Sequence, residues 1–211
     1  MQLIAMFTML ADHIGAVFFE DQAVWRAVGR IAFPIYAYGI VLGYRYTRDL
    51  KRYMKRLLIL AVLSQAPYML ALGKMGVNAV GTLLVCAAVL YVMEHHKKSV
   101  WLPVAVASVV VVEALRFDYG LYGLLLVLIY RYTKSHAMVA GHFTLNVLFL
   151  MLKGWLLAPY SIIATIVIAY APARHGAWER RSVPGWLWRS FYPAHLAVLA
   201  MIELIVALHH R

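Results

Sequence analysis

Asp12 and His13 lie in the middle of the apolar run MQLIAMFTMLADHIGAVFF, with no other charged residue before Glu20. An α-helix rises ~1.5 Å per residue, which sets Asp12 roughly 15 Å into a hydrocarbon layer ~30 Å thick. A carboxylate at that depth costs about 2.5–3.5 kcal/mol on insertion scales, so the pair needs partners, water or a chemical task. A histidine held by an acid is a candidate general base, because imidazole titrates near working pH. Adjacent residues point about 100° apart on a helix, so Asp12 either orients His13 through backbone or water or contacts another helix. The structural alternative is a polar clamp between membrane helices. Gly15, just beyond, leaves room for another helix or a ligand to approach.

Other residues have a chemical reading beside a structural one. Arg30, in Gly29-Arg30-Ile-Ala-Phe-Pro34, stands at the start of the second hydrophobic run, able to turn toward a carboxylate or an anionic substrate group or to snorkel to the interface. Arg45, Arg48, Arg52 and Arg56 fall at i, i+3, i+7 and i+11, one face of a helix continued past the membrane. Such a stripe can hold phosphates by charge-assisted bonds, or set topology beside anionic lipid. His142 and Asn146 share a face at i, i+4, and His195 follows Phe191-Tyr192-Pro193 in the last apolar run. Glu203, two turns on, reads as a further buried acid. Asn78 and Thr82 share a face at the start of a fourth run. No metal site is expected, because His13, His142 and His195 carry no metal-ligand spacing and the lone Cys86 reads as packing. Walker, nucleophile-elbow and dinucleotide motifs are absent.

The elements that must position these residues are membrane helices. Of 211 residues 64% are hydrophobic, too apolar for an ordinary soluble domain. The apolar runs predict helices over 2–19, 31–47, 53–72, 79–93, 100–115, 120–132, 137–152, 157–171 and 188–208. The fold class is therefore all-α, a polytopic bundle of about nine helices (eight to ten) forming a single domain over 1–211. The first run lacks a basic flank and a small-residue cleavage site, and reads as a retained helix.

Lys and Arg alternate by side. Arg45 to Arg56, Lys97, Lys98, Arg131, Lys134, Arg174, Arg180, Arg181 and Arg189 fall on one set of connections. Arg26, Arg30, Lys74, Arg116 and Lys153, with Arg211, fall on the other. The positive-inside rule then puts the N-terminus in the cytoplasm. The same rule accounts for the net charge of +11 without nucleic acid as a partner. Trp25, Trp101, Trp155, Trp186 and Trp188 near helix ends read as interfacial anchors.

The elements ADHIG, GRIAFPIYAYGIVLGYRYTRDLKRYMKRLLILAVLSQAPY and FYPAHLAVL resemble, in order and over nearly the whole chain, the TraX family of bacterial membrane acetyltransferases. DHIG, GRIAFP and the YPxHL element are the most specific parts. Asp12, His13, Gly29, Arg30, Arg45, Arg48 and His195 carry the match, whereas residues 95–185 match in hydropathy alone. The resemblance implies a multi-pass protein of the bacterial inner membrane that uses cytoplasmic acetyl-CoA as acyl donor. The family's namesake is associated with acetylating the N-terminus of pilin. By implication the donor's phosphates dock on Arg45, Arg48, Arg52 and Arg56. His13, tuned by Asp12, acts as base toward an amine or hydroxyl acceptor or takes the acetyl group itself, and Arg30 or His195 stabilises charge on the thioester oxygen.

Two other classes compete. A proton-coupled transporter would also bury Asp and His, but calls for internal pseudo-symmetry, which the sequence lacks. A non-catalytic assembly protein would use the same residues as glue between helices.

Overall fold

The computed structural model describes residues 1–171 and 183–209. Arg174, Arg180, Arg181 and Arg211, counted above among the basic and terminal residues, lie outside them. The described residues are all-helical, without a strand. In chain order they form α1 (Gln2–Phe18), α2 (Ala23–Gly29), α3 (Ala32–Tyr46), α4 (Leu50–Leu72), α5 (Ala79–His95), α6 (Lys98–Ala114), α7 (Gly120–Tyr132) and α8 (Ser135–Lys153). A 3₁₀ turn (Ala158–Ser161) then leads into α9 (Ile162–Tyr170), and α10 (Gly185–His209) closes the bundle.

Each of the nine expected runs is helical. The addition is α2, a seven-residue helix in what reads from sequence as a connection. It runs into α3 through Arg30 and Ile31, which keep right-handed helical dihedrals. Pro34 sits in the first turn of α3, where its missing N–H leaves no helical bond unmade. Among the described residues, four segments are long and apolar enough to cross a membrane: Ala23–Tyr46, Leu50–Leu72, Ser135–Lys153 and Gly185–His209.

Local chemistry fixes the ends. Asp49 caps α4 by accepting a 2.9 Å hydrogen bond from the Arg52 amide. Asn78 caps α5, accepting from the amides of Val80 and Gly81. Its own amide nitrogen donates to the Ala61 carbonyl and to Gln65. Asn78 is therefore a cap that ties α5 to α4, and it belongs to the scaffold.

The core is split. The larger part packs α3, α5, α7, α8 and α9 around Phe33, Leu90, Leu126 and Phe149. The smaller gathers Met9, Tyr68, Tyr192 and Leu196 where α10 lies on α1 and α4. Alternating helices give the bundle two ends. At one, Arg131 pairs with Glu94 at 2.6 Å, the Val183 amide donates to Gln2, and Tyr170 meets His136. At the other, Lys153 pairs with Glu113 at 2.6 Å and the Asp118 amide donates to the Val77 carbonyl at 2.8 Å.

The arginine stripe is corrected in one respect. Tyr46 ends α3 and Leu50 begins α4, with Thr47 and Asp49 extended between them. Arg45 therefore belongs to the last turn of α3, Arg48 to the connection, and Arg52 and Arg56 to α4. The four are exposed at the Glu94–Arg131 end, as a turn-borne cluster and not as one helical face. The Asp49 cap is the physical cause, because it starts a new helix where the spacing alone would continue the old one.

Candidate functional site

The site is built where α1 and α2 meet. A Cβ on Gly29 would fall on the Cβ and carboxylate of Asp12, and one on Gly15 would fall on the Cβ of Trp25. The two glycines thus let the antiparallel helices close on each other. That approach puts Asp12 Oδ1 2.9 Å from Arg26 Nη1, while the same nitrogen donates to the Asp12 carbonyl at 3.1 Å. Asp12 is 8% exposed, so the pair is an inward one that neutralises a carboxylate within the bundle. Of the alternatives the sequence leaves for Asp12, the structure selects contact with another helix.

His13 finds a different partner. Its Nδ1 lies 2.6 Å from Nε2 of His195, and the two rings stack 7° from parallel with centroids 4.9 Å apart. His195 is fixed from its other side, where Nδ1 lies 2.5 Å from the Phe191 carbonyl. A carbonyl oxygen only accepts, so His195 Nδ1 carries a proton, and in the neutral ring Nε2 is then the acceptor. His13 must donate from Nδ1, which leaves the lone pair on His13 Nε2. Pro193 removes a backbone donor from the turn that presents His195, and Tyr192 packs against both rings.

His13, Asp12, Arg26 and Arg30 line a chamber of about 170 Å³ closed by Leu72, Lys74, Asp118, Tyr119 and Trp155. Arg30 lies opposite the α4–α5 and α6–α7 connections, its guanidinium facing the Tyr119 hydroxyl. Lys74, Asp118, Tyr119 and Trp155 also wall a wider cavity of about 540 Å³, rimmed by Glu113, Arg116 and Lys153. The chamber therefore adjoins a vestibule at the end of the bundle opposite the Arg45–Arg56 cluster. Trp155, which the sequence reads as an interfacial anchor, is part of that wall.

His142 and Asn146 do not join this chamber. His142 Nε2 lies 2.8 Å from the Tyr122 hydroxyl and 3.1 Å from Ser161 Oγ, and its Nδ1 is bonded to Thr165. Tyr122 donates to Asn146 at 2.8 Å, and Tyr130 meets Thr165. This network ties α7, α8 and α9 together with its polar atoms mutually satisfied. Thr82 is likewise structural, its hydroxyl donating to the Asp118 carbonyl. Glu203 is corrected outright: it is exposed on the outside of α10, beside an apolar groove along α4. Eight residues of helix turn it roughly 80° from His195, too far to share its face.

The sequence reading missed Arg26, Tyr119 and Trp155 as site residues. Arg26 carries a usable signal, since it precedes Arg30 by four residues and so shares its helical face once α2 is recognised. Tyr119 has none, because a loop places it.

A model of the family described as TraX protein matches residues 1–203. A curated relative, the probable fimbrial assembly protein FimC, serogroup H1, of Dichelobacter nodosus, is 23% identical over 235 residues, spanning 98% of this chain and 95% of the relative. No solved structure matches the chain.

Proposed function

This chain belongs to the TraX family, and on that premise we propose that it is a multi-pass acetyltransferase of the bacterial inner membrane, moving an acetyl group from cytoplasmic acetyl-CoA to an amine or hydroxyl acceptor. The observation that carries this reading is the His13–His195 pair, which leaves His13 Nε2 as a base on a chamber that also holds Arg30. With the N-terminus cytoplasmic, the exposed Arg45, Arg48, Arg52 and Arg56 face the donor and take its phosphates. From Gln2 to His13 the rise is roughly 17 Å at ~1.5 Å per residue, the depth an acyl arm must reach.

The acceptor enters from the opposite end, through the vestibule between Lys153, Arg116 and Trp155. His13 Nε2 takes its proton while the acceptor attacks the thioester carbonyl, and returns that proton to the departing thiolate. His195 acts as a positioning residue, because the bond it accepts fixes the His13 tautomer and stabilises the imidazolium that forms. Asp12 holds Arg26 and α2, so its effect on His13 is through the helix that both share. The name of the relative makes a fimbrial subunit the first acceptor to try.

The test is acetyl-CoA binding to detergent-purified protein by calorimetry, with Arg48→Ala and His13→Ala beside it. Binding that weakens on loss of Arg48 and survives loss of His13 supports a transferase with separate docking and chemical residues. Absence of binding by well-folded protein would remove the reading in favour of a transporter or an assembly scaffold.

A further inference from the structure

The connection before α7 is held in a costly conformation. Arg116 and Tyr119 have φ of 52° and 65°, in the left-handed region that β-carbons disfavour. Several contacts keep them there. The Thr82 hydroxyl and the Val77 carbonyl hold Asp118 from both sides of its peptide, and the Phe117 amide donates to the Val112 carbonyl at 2.9 Å. Gly76 is pressed against the Arg116 carbonyl, where a Cβ has no room. Strain kept by this many contacts fixes the direction of one side chain, that of Tyr119.

That side chain, together with Trp155, borders three cavities. The Tyr119 ring stacks on Phe33 with centroids 3.6 Å apart and planes 7° from parallel, and meets Trp155 edge-on. It borders the His13 chamber, the vestibule, and a narrow cleft running from Arg30 to Ser161. Phe33 lies three residues after Arg30, on the same side of the α2–α3 run, so the phenol is laid along that side with its hydroxyl at the guanidinium. Arg30 Nε is buried without a hydrogen bond among the described residues. Asp12 Oδ1 lies 2.9 Å from Arg26 Nη1 without a hydrogen bond of good geometry among the described residues, and His13 Nδ1 is taken by His195. Beside the Lys74–Asp118 pair, 3.8 Å apart, the chamber brings together His13 Nε2 and two donors, Arg30 and Tyr119.

We propose that Tyr119 is a catalytic residue that, with Arg30, holds the acyl carbonyl oxygen during transfer. This inference rests on the transferase reading above. As the acceptor's nitrogen or oxygen bonds to the carbonyl carbon, its proton passes to His13 Nε2 and the carbonyl π pair moves onto oxygen. The Tyr119 hydroxyl and the Arg30 guanidinium donate to that oxygen. When the pair returns, the carbon–sulfur bond breaks, and the thiolate leaves with the proton held by His13. Atoms and charge balance without a further reactant.

The test is Tyr119→Phe, which keeps the ring, the stack on Phe33 and the backbone angle while deleting the hydroxyl. Full-chain protein in detergent is given acetyl-CoA and an acceptor extract from its own membranes, and release of the free CoA thiol is followed. The expected result is a fall in kcat of about 10²–10³, the size seen on loss of one such donor. Acetyl-CoA affinity should stay within twofold and the melting temperature should be unchanged. Wild-type turnover in Tyr119→Phe would overturn the proposal and leave the transferase reading standing. A matched loss of melting temperature and donor affinity would also overturn it, by giving Tyr119 a structural role. No thiol release from wild-type protein that binds acetyl-CoA would remove the transferase reading and this inference together.

Discussion

His13 and His195, from the first and last helices, stack in parallel and share one hydrogen bond between Nδ1 and Nε2 at 2.6 Å. The Phe191 carbonyl decides which way that bond runs, so an interaction at one edge of His195 selects the reactive nitrogen on the far edge of His13. The orienting partner of His13 is therefore a neutral imidazole, with Asp12 engaged elsewhere.

Replacing His195 should discriminate orientation from chemistry. In His195→Gln a side-chain carbonyl can still accept from His13 Nδ1, whereas His195→Leu leaves that N–H unpaired. Steady-state transfer by Gln should exceed that by Leu at least tenfold, with equal donor affinity. Equal rates in the two variants would show that the bond does not set the tautomer.

Gly29→Ala should damage the site through packing. The added methyl meets Asp12 at its Cβ and carboxylate, which cannot swing away without moving α1. Overpacking of this kind costs about 1–3 kcal/mol. A lower melting temperature and lost transfer are expected together, while Gly39→Ala, where a Cβ meets nothing within 4 Å, should leave both intact.

The arginine cluster should act on binding alone. Arg48→Ala and Arg52→Ala should each raise the acetyl-CoA dissociation constant about tenfold, the loss of roughly 1.4 kcal/mol expected of one charge-assisted contact. The wild-type affinity should fall with added salt more steeply than that of either variant. Unchanged affinity would move the donor site away from this end of the bundle.

The network around His142 should respond as scaffold. Tyr122→Phe removes the hydroxyl that Asn146 and His142 share, leaving Asn146 Oδ1 with a long 3.4 Å contact to Ser161 at a cost of about 1–3 kcal/mol. Thermal unfolding in detergent should register that loss, with transfer per folded molecule near the wild-type value. A full-stability variant that no longer turns over would assign the network a chemical part.

How much of this was legible in the sequence follows from what each residue's position depends on. Apolar periodicity is local, so all nine expected helices lie where the runs put them. Asp12 and His13 stood out because an ionisable pair inside an apolar run is costly wherever it occurs. Their partners were harder to read. Arg26 needed the short α2, which no apolar run marks. The pairing of His13 with His195 joins residues 182 apart and depends on how α10 lies on α1. Tyr119 is set by a left-handed turn locked through Val77 and Thr82, contacts that no spacing encodes. The arginine spacing misled for the opposite reason: a helical period does not reveal a cap such as Asp49 that interrupts it.

The most direct measurement is acetyl transfer itself. Membranes from cells producing the chain, or its His13→Ala variant at equal abundance, would be supplied with radiolabelled acetyl-CoA, and label counted in protein, glycan and lipid fractions. Wild-type membranes should label one fraction well above background, and the variant should label it about 10²–10⁴-fold more slowly, the range for loss of a general base. Equal labelling by the two, or none by wild-type membranes that bind acetyl-CoA, would contradict His13 as the base of an acetyltransferase.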